Sequence, residues 1–388
     1  MSQGLALTGD EAVAHAMRQI DPDVVAAYPI TPQTEIVMKF SQFVADGLAN
    51  TEMIPVESEH SAMSAAVGSA SAGARTMTAT NSQGLALMME IVYIASSLRL
   101  PMVMPIVNRA VSGNINIHCD HSDSMMARGS GWLQLYCENG QEAYESTIMA
   151  IRIAEHPKIQ LPVMVCQDGF ITSHCVERTE LFDDKQVKDF IGEYKPLYSL
   201  LDTDKPITVG PLDLQDYYFE HKRAQIEAVS EAKKYLPDIF KEFEKTFGKK
   251  YDFIQTYKME DAEQAILVLN STAGTTKTVV DKLRAQGKKV GLIKPFVFRP
   301  FPARELSQAV KGLKSIAVLD RAETYSNEGG PLFGEVRSAL FDTRDKLRVI
   351  NYIFGLGGRD IFPKDIEKVY MDLIDNKGDN INYLGVRE

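Results

Sequence analysis

Residues 24–37 read VVAAYPITPQTEIV, and this stretch shows how the chain builds its fold. It opens with a short apolar run of the kind that forms a buried parallel strand. Pro29 and Pro32 follow the run. Because proline fixes its own φ and restricts the residue before it, Tyr28 and Thr31 are expected in extended backbone. The pattern therefore displays the Thr31 hydroxyl group at a strand exit, either in a simple turn or in a binding site.

Apolar runs of the strand type alternate with helical patterns along the rest of the first half. Such alternation predicts a parallel sheet with right-handed crossovers and helices on both faces. Ligands bind these sheets beyond the carboxyl ends of the strands, so the loops after the strands are the expected site. Helices are predicted over residues 10–20, 59–74, 84–98 and 142–157, strands over 75–82, 100–108 and 161–169, and strand exits after Tyr28, Thr80, Val107 and Val165.

The pattern changes in the middle of the chain. Residues 176–215 are rich in charge and contain prolines, which predicts an irregular crossing arm, and residues 216–247 predict a long charged helix between domains. The alternation then resumes as a compact α/β domain of about five strands. The chain is thus predicted to form a first domain of residues 1–215, a linker segment of residues 216–257 and a second domain of residues 258–388.

Length and charge exclude several classes of function. With 388 residues the chain exceeds what one hydrophobic core usually supports, so two domains are expected. A formal charge of −10 argues against binding to nucleic acid or to an anionic membrane, which depends on clustered Lys and Arg. No apolar run reaches the roughly 18 residues of a membrane span, and the first residues lack a signal-peptide pattern. We therefore expect a cytoplasmic protein whose partners are proteins and small molecules.

The cysteines are far apart in the sequence and form no CxxC pair. This spacing predicts free thiols, because zinc and iron–sulfur sites need closely spaced ligands. If the protein transfers electrons, the metal clusters must lie in another chain. The cysteines are Cys119, Cys137, Cys166 and Cys175.

Charged residues stand where a ligand could meet the sheet. Glu57 and Glu59 precede a helix of small residues, where a carboxylate either caps the helix or binds a ring nitrogen of a flat ligand. Capping is the favoured interpretation for Glu57. Arg109 directly follows an apolar strand, where its guanidinium either remains at the surface or pairs with a substrate carboxylate through two parallel hydrogen bonds.

One loop gathers side chains that look like metal ligands. Two histidines three residues apart without a distant third ligand are weak evidence for a metal, so hydrogen bonding of the loop to the pocket is the favoured interpretation. The cluster consists of His118, Cys119, Asp120, His121 and Asp123.

Two glycine-containing stretches could cradle a phosphate at a helix start. They are STAGTTKT at residues 271–278 and FGLGGRD at residues 354–360. Neither matches the dinucleotide pattern GxGxxG or the nucleotide pattern GxxxxGK[ST]. The first is interpreted as a strand-to-helix turn, with anion contact as the alternative.

Several long motifs in succession make the chain recognisable. Their order and spacing resemble the alpha subunit of pyruvate:ferredoxin and related 2-oxoacid:ferredoxin oxidoreductases, and the resemblance covers essentially the whole chain. It implies an α/β fold with a pyrimidine-binding, parallel-sheet domain of the thiamine diphosphate type, followed by an α/β domain like the transketolase C-terminal domain. The motifs include AAYPITPQTEI at residues 26–36, a stretch at 55–88 that begins PVESEHSAM, VNRAVSGNINIHCDHSD at 107–123, GWLQLYCENGQEAYE at 131–145 and IAVLDRAETYSNEGGPLFGEV at 316–336.

The resemblance assigns roles to particular residues. Glu59 would hydrogen-bond the pyrimidine N1′ of thiamine diphosphate and so promote loss of the thiazolium C2 proton, and Asn81 and Gln83 would help to bind this cofactor. Thr31 would touch the carboxylate and carbonyl end of the substrate, and Arg109 would pair with the carboxylate. Thr31, Glu59 and Arg109 together argue against a non-catalytic scaffold, which is the competing class of function.

The resemblance also implies partners. A 2-oxoacid would be decarboxylated oxidatively, with the acyl group passed to coenzyme A and the electrons to ferredoxin. The stretch QDG at residues 167–169 is not a GDG-type metal and diphosphate motif, so no metal site is expected in this chain. Mg²⁺ and [4Fe–4S] clusters would lie on beta, gamma and delta-type subunits, and the thiamine site would be shared with one of them.

Pyruvate is the substrate that the resemblance favours. Relatives act on other 2-oxoacids, so 2-oxobutyrate, branched-chain 2-oxoacids, phenylglyoxylate and oxalate remain alternatives. The oxalate enzymes are similar but carry an arginine in place of the threonine in YPITP. Thr31 therefore argues against oxalate.

Overall fold

The computed structural model describes residues 3–326, 328–342 and 347–387, which fold into two large sheets and a two-stranded ribbon. The strands are β1 (Gln3–Leu7), β2 (Val24–Ala27), β3 (Glu52–Pro55), β4 (Thr76–Met77), β5 (Met102–Asn108), β6 (Leu133–Tyr136), β7 (Val163–Asp168), β8 (Glu177–Leu181), β9 (Ile254–Tyr257), β10 (Gln264–Val268), β11 (Val290–Pro295), β12 (Val297–Arg299), β13 (Ser315–Asp320), β14 (Arg348–Phe354) and β15 (Ile381–Leu384).

The helices lie between these strands. They are α1 (Gly9–Ile20), α2 (Thr34–Ala45), α3 (Glu59–Ser71), α4 (Ser82–Ser97), α5 (Ser122–Met126), α6 (Gly140–Ala154), α7 (Asp184–Ile191), α8 (Tyr218–Phe247), α9 (Thr272–Ala285), α10 (Ala303–Ala309), α11 (Pro331–Leu340) and α12 (Pro363–Ile374), with short 3₁₀ turns at Ala127–Gly129 and Leu356–Gly358. Within the described ranges, no helix combines the length and the apolar character that crossing a membrane requires.

The first sheet has the strand order β12-β6-β7-β5-β4-β2-β3. Its strands from the first half are all parallel, as the alternation predicts, and β12 adds an antiparallel edge from the second half. Every residue of β5 is buried, which agrees with its continuous apolar run. The order places the carboxyl ends of β2, β4, β5 and β7 side by side.

The second sheet has the order β15-β14-β13-β10-β11-β9. It is parallel except for the edge strand β9, which pairs antiparallel with β11. The sheet has six strands among the described residues rather than about five, because β9 and β15 are short edge strands with weak sequence patterns. The exact division into residues 1–215, 216–257 and 258–388 stays a prediction.

The helices follow from local signals that the sequence carries. α1 begins with a capping box in which Thr8 Oγ1 accepts from the Glu11 backbone N–H and Glu11 accepts from the Thr8 N–H. Its apolar residues recur at helical spacing and are buried against α6 and α2. The long helix predicted at 216–247 is α8, whose apolar stripe contains Leu236, Phe240 and Phe243 and packs into the core of the first half.

Two expectations about secondary structure are wrong in part. The region 176–215 is not irregular throughout, because β8 pairs with β1 and α7 begins at an Asp183 cap. A strand partner at the far end of a domain leaves no local signal, which explains why β8 was not predicted. The strand predicted at 75–82 shrinks to β4, since beyond it Thr80 forms only one bridge to Ile106 before α4 begins.

A buried carboxylate joins the two halves of the chain. Asp168, the last residue of β7, is fully buried. From the second half, Asn270 Nδ2 donates to Asp168 Oδ1 over 2.9 Å and Ser271 N donates to Oδ2 over 3.2 Å. The Arg321 guanidinium lies 3.9 Å from Oδ2. Because a buried charge is costly unless it is paired and hydrogen-bonded, this arrangement fixes how the two sheets meet.

Loop side chains of the first half complete the Asp168 environment. His121 Nε2 lies 2.8 Å from Oδ1, and the Cys119 thiol donates to the same oxygen over 3.3 Å. Burial alone would raise the pKa of Asp168, but Arg321, His121 and the Ser271 hydroxyl hold that pKa well below its usual range. Asp168 is therefore a carboxylate at neutral pH.

We expect Asp168→Ala to lower the free energy of unfolding by about 3–5 kcal/mol, because it leaves the buried Arg321 guanidinium without its counter-charge. Urea unfolding of the full chain at pH 7 measures this loss. The matched control is Asp189→Ala, which removes an exposed ion pair with Lys185 and should cost less than about 0.5 kcal/mol. Equal costs for the two variants would contradict the role given to Asp168.

The same residue predicts how stability changes with pH. The pKa of Asp168 is lower in the folded chain than in the unfolded chain, where it is about 3.9. Its contribution is therefore present above about pH 4 and is lost as the pH falls further. In acid, the stability of the wild type should approach that of Asp168→Ala.

Candidate active site

The loops that follow β2, β4 and β5 are joined by hydrogen bonds at one edge of the first sheet. Asn81 Nδ2 donates to the Ile30 carbonyl over 3.1 Å, and Arg109 Nη1 donates to the Thr31 carbonyl over 2.8 Å. The structure thus brings Thr31, Asn81 and Arg109 together, as the parallel sheet predicts.

Glu59 is the first residue of α3. Ser58 is the N-cap and accepts from the Ser61 N–H over 3.2 Å. Glu59 is only 8% exposed as a residue, and among the described residues none donates a hydrogen bond to its carboxylate, although its oxygens are not among the fully enclosed unpaired atoms. Most buried polar groups are hydrogen-bonded in native proteins, so an unpaired carboxylate marks a place where a ligand can supply the donor.

Glu57 has a different environment from Glu59. Its side chain is exposed and accepts a hydrogen bond from the Ser61 hydroxyl, which lowers the pKa of Glu57. The interpretation of Glu57 as the helix cap is wrong in detail because Ser58 occupies the cap position. A serine hydroxyl one residue nearer the helix reaches the first-turn N–H groups more directly.

The start of α4 faces the Glu59 carboxylate. A Cβ on Gly84 would lie 2.8 Å from Glu59 Oε1 and 2.5 Å from Thr80 Oγ1, so only glycine leaves room there. Thr80 and Asn81 are fully buried, and Thr80 Oγ1 and Asn81 Oδ1 have no hydrogen-bond partner among the described residues. The cradle thus offers unpaired oxygen atoms beside an unpaired carboxylate.

Gln83 is hydrogen-bonded to its neighbour and to the loop after β5. Its Nε2 donates to the Ser112 carbonyl over 3.0 Å, and its Oε1 accepts from the Ser82 hydroxyl. These bonds tie the start of α4 to the loop after β5. The role predicted for Gln83 in binding a cofactor stays a prediction.

Arg109 is held from three directions. Its N–H donates to Asp123 Oδ2 over 2.9 Å, its Nε to the Asn116 carbonyl over 2.9 Å and its Nη1 to the Thr31 carbonyl over 2.8 Å. Arg109 is 7% exposed, and burial lowers its pKa while Asp123 opposes that shift. Among the described residues, none accepts a hydrogen bond from Nη2, which leaves that nitrogen for an anion.

Asp123 organises the backbone around Arg109. It is fully buried and accepts from the Ser82 N–H over 3.0 Å and from Asn108 Nδ2 over 2.8 Å, besides the bond from Arg109. Burial raises the pKa of Asp123, although these donors act against that shift. The sequence predicts hydrogen bonding for the cluster that contains Asp123, but the particular partners of Asp123 depend on contacts that no local pattern shows.

The histidine and cysteine loop belongs to the junction between the two halves. Cys119, His121 and Asp168 place ligand atoms within 4.8 Å of one another. However, the Arg321 guanidinium faces the same carboxylate, and burial raises the pKa of the Cys119 thiol, which disfavours the thiolate that a metal needs. The arrangement favours hydrogen bonding over metal binding, and His118 lies outside it, with its ring against Phe170.

The sequence did not identify Asp168, although a signal was present. Asp168 ends an apolar strand, but the predicted exit of that strand lies after Val165. The motif QDG was compared only with the GDG-type metal and diphosphate motif, which it does not match. The turn at residues 271–278 was interpreted with anion contact as an alternative. Its Ser271 does contact an anion, which is the carboxylate of Asp168.

The cysteines are free, as their spacing predicts.

Comparison with protein families assigns the two halves separately. Residues 15–241 match a family model described as pyruvate flavodoxin/ferredoxin oxidoreductase, thiamine diphosphate-binding. Residues 262–366 match one described as pyruvate:ferredoxin oxidoreductase core domain II.

Curated relatives cover almost the whole chain. Pyruvate synthase subunit PorA of Thermotoga maritima is 60% identical over 386 residues, which is 99% of this chain and 98% of that protein. The PorA subunit of Methanocaldococcus jannaschii is 44% identical and covers 100% of this chain and 99% of its own. Ketoisovalerate oxidoreductase subunit VorA of Pyrococcus abyssi is 42% identical and covers 95% of this chain and 92% of its own.

Solved structures share the fold. A 2-oxoglutarate:ferredoxin oxidoreductase from Magnetococcus marinus aligns with a TM-score of 0.75 at 19% identity, over 96% of this chain and 65% of that chain. A split-gene transketolase aligns with a TM-score of 0.58 at 13% identity, over 96% of this chain and 100% of that chain.

These comparisons confirm two predictions from the sequence. The α/β fold agrees with a thiamine diphosphate-binding domain followed by a transketolase-like domain. The resemblance of the motifs is confirmed over both halves. The chain therefore belongs to the pyruvate:ferredoxin oxidoreductase family.

Proposed function

We propose that this chain is the alpha-type subunit of a pyruvate:ferredoxin oxidoreductase and forms the pyrimidine side of a thiamine diphosphate site that a partner subunit completes. The observation that carries this proposal is the Glu59 carboxylate, which belongs to a largely buried residue and receives no hydrogen bond from the described residues. A ligand that covers this carboxylate would desolvate it, which is unfavourable unless the carboxylate is paired. A pyrimidine nitrogen that shares a proton with Glu59 would relieve this cost.

The residues at the start of α4 fit the cofactor's pyrimidine. Glu59 would hold or move a proton at N1′, while the unpaired Thr80 and Asn81 oxygens could accept from an amino group. Gly84 leaves the space that a flat ring needs beside Glu59. When bound, thiamine diphosphate supplies a carbanion that adds to the 2-oxo group and then holds the electrons that decarboxylation releases.

Thr31 and Arg109 would bind the carboxylate end of the substrate. The Arg109 guanidinium remains charged at neutral pH despite burial, because its ordinary pKa is far above 7. Its free Nη2 and the exposed Thr31 side chain lie on adjoining loops, since Arg109 already bonds the Thr31 carbonyl. A carboxylate held here keeps its 2-oxo group oriented until CO₂ leaves.

The complete reaction needs further chains. In the proposed reaction, pyruvate and coenzyme A give acetyl-CoA, CO₂, one proton and two electrons. Ferredoxin would take the electrons one at a time through [4Fe–4S] clusters on beta, gamma or delta-type subunits, and Mg²⁺ would bind the diphosphate on a partner. The curated relatives are named as subunits of a pyruvate synthase or of a ketoisovalerate oxidoreductase, which supports such an assembly. A cytoplasmic location is part of the same proposal.

Pyruvate is favoured over other 2-oxoacids by the degree of similarity. The relative that is 60% identical is named a pyruvate synthase subunit, whereas the ketoisovalerate oxidoreductase subunit is 42% identical. Both names describe 2-oxoacid enzymes, so the choice among substrates is a matter for measurement.

We expect the tagged chain to purify from its native host as a brown complex with smaller cluster-bearing chains. The complex should reduce ferredoxin with coenzyme A and pyruvate, and its kcat/KM should be highest for pyruvate in a panel with 2-oxobutyrate, 2-oxoisovalerate and phenylglyoxylate. A colourless chain without partners would argue for a different function. A higher kcat/KM for another acid would keep the family and change the substrate.

We expect Glu59→Gln to lower kcat by about 10²–10⁴-fold, because glutamine cannot hold the proton at the pyrimidine nitrogen. Hydrogen–deuterium exchange at C2 of bound thiamine diphosphate measures the step directly. Glu57→Gln is the matched control, since this exposed carboxylate lies two residues away and should leave exchange unchanged. Unchanged exchange in Glu59→Gln would remove Glu59 from the catalytic role.

We expect Arg109→Ala to lower kcat/KM for pyruvate by roughly 10²-fold, because the substrate carboxylate loses a charge-assisted pair. Arg109→Lys should fall between this variant and the wild type, since lysine keeps the charge without the planar fork. The exposed Arg178→Ala is the control. Thiamine diphosphate affinity should be unchanged in all three, and an equal loss of cofactor binding would reassign Arg109 to the cofactor.

A further inference from the structure

We propose that the second domain positions Arg109 for the substrate, through Asn116 and the glycine turn at residues 355–358. This inference rests on the proposed function, in which Arg109 binds the substrate carboxylate. Asn116 would act as a positioning residue, because its own contacts are with Arg109 and the turn.

Hydrogen bonds from two of its nitrogen atoms set the orientation of the Arg109 guanidinium. Nε donates to the Asn116 carbonyl over 2.9 Å, and Nη1 donates to the Thr31 carbonyl over 2.8 Å. A guanidinium is planar, so fixing two of its nitrogens also fixes the direction of the third, Nη2. The position of the Asn116 carbonyl therefore decides where the free nitrogen points.

The loop around Asn116 leaves its flanking apolar side chains exposed. Ile115 is 80% exposed, and Ile117 on the other side is also exposed. A loop with few buried apolar contacts is held mainly by its hydrogen bonds. The bonds of the Asn116 side chain are therefore those expected to fix its carbonyl.

The Asn116 side chain is bound on both sides. Its Nδ2 donates to the Gly357 carbonyl over 3.0 Å, and its Oδ1 accepts from the His118 N–H over 2.7 Å. The first of these bonds crosses from the first half to the 3₁₀ turn after β14. Gly357 of the second domain thus binds the side chain of Asn116, and the backbone carbonyl of Asn116 orients Arg109.

The turn needs glycine to come this close. Gly355, Gly357 and Gly358 have φ values of 64°, 61° and 79°, which favour residues without a Cβ. A Cβ on Gly357 would overlap Asn116 Nδ2, and one on Gly358 would overlap the His118 side chain. The stretch FGLGGRD, which matches no nucleotide-binding pattern, therefore serves as a contact surface for the loop of Arg109.

Further bonds keep the turn and the loop together. The Gly358 N–H donates to the Cys119 carbonyl over 2.6 Å, and the Gly357 N–H donates to Asp120 Oδ2 over 3.3 Å. Both acceptors lie next to the Asp168 junction. A shift of the second domain at this junction would therefore move Asn116 and change the direction in which Arg109 Nη2 points.

The test uses the purified complex and the variants Asn116→Ala and Gly357→Ala. Each should lower kcat/KM for pyruvate by roughly tenfold, mainly through a higher KM, with unchanged thiamine diphosphate affinity. Asn116→Ala should keep the wild-type thermal midpoint, whereas Gly357→Ala should lower it because alanine is strained at a positive φ. Gly312→Ala is the matched control for Gly357→Ala, because Gly312 also has a positive φ, of 83°, but a Cβ there would meet nothing within 4 Å. Gly312→Ala should keep wild-type kcat/KM.

A double-mutant cycle separates positioning from general damage. If Asn116 acts through Arg109, adding Asn116→Ala to Arg109→Ala should cause little further loss of kcat/KM. Additive losses, or wild-type kinetics in both Asn116→Ala and Gly357→Ala, would overturn the inference while leaving Arg109 as the carboxylate ligand. Wild-type kinetics in Arg109→Ala would instead overturn the assignment of Arg109 in the proposed function, and this inference with it.

Discussion

The arrangement of this molecule depends on one buried negative charge, the carboxylate of Asp168. It sits at the end of β7, where it would be costly without partners, and the second half supplies Asn270, Ser271 and Arg321. Apolar packing alone is non-directional and tolerates small rotations of one layer on another. Hydrogen bonds to a fixed carboxylate are directional, so they select one way of joining two sheets that already share a core.

That junction also supports the loops of the candidate site. His121 contacts Asp168, and Asp123, two residues further on, binds the Ser82 and Arg109 N–H groups. The short segment from 119 to 123 therefore links the second domain to the loops after β4 and β5. The side chains of these loops can keep precise positions only when the loops themselves are supported in this way.

The sequence was sufficient for the elements with internal periodicity and insufficient for those with distant partners. Helices such as α1 and α6 and the apolar strands β5 and β7 carry their own signal, so their existence and order were predictable. The ribbon β1–β8 and the edge strand β12 depend on pairing across the chain, which has no local trace. For the candidate site, motif resemblance predicts Thr31, Glu59 and Arg109, and their roles stay predictions, whereas the importance of Asp168 is visible only once its partners are known.

Glu59 and Asp168 are two largely buried acidic residues with opposite surroundings. Both are almost inaccessible, but Asp168 is saturated with donors from its own chain, and Glu59 has none among the described residues. A saturated carboxylate has a strongly lowered pKa and little capacity to exchange a proton, which suits a fixed junction. A carboxylate that receives no hydrogen bond from its own chain is left available to a ligand, which is what the proposed function requires of Glu59. Because Asp168 and the shared core hold the two halves together, the Glu59 carboxylate need not contribute a hydrogen bond to the fold.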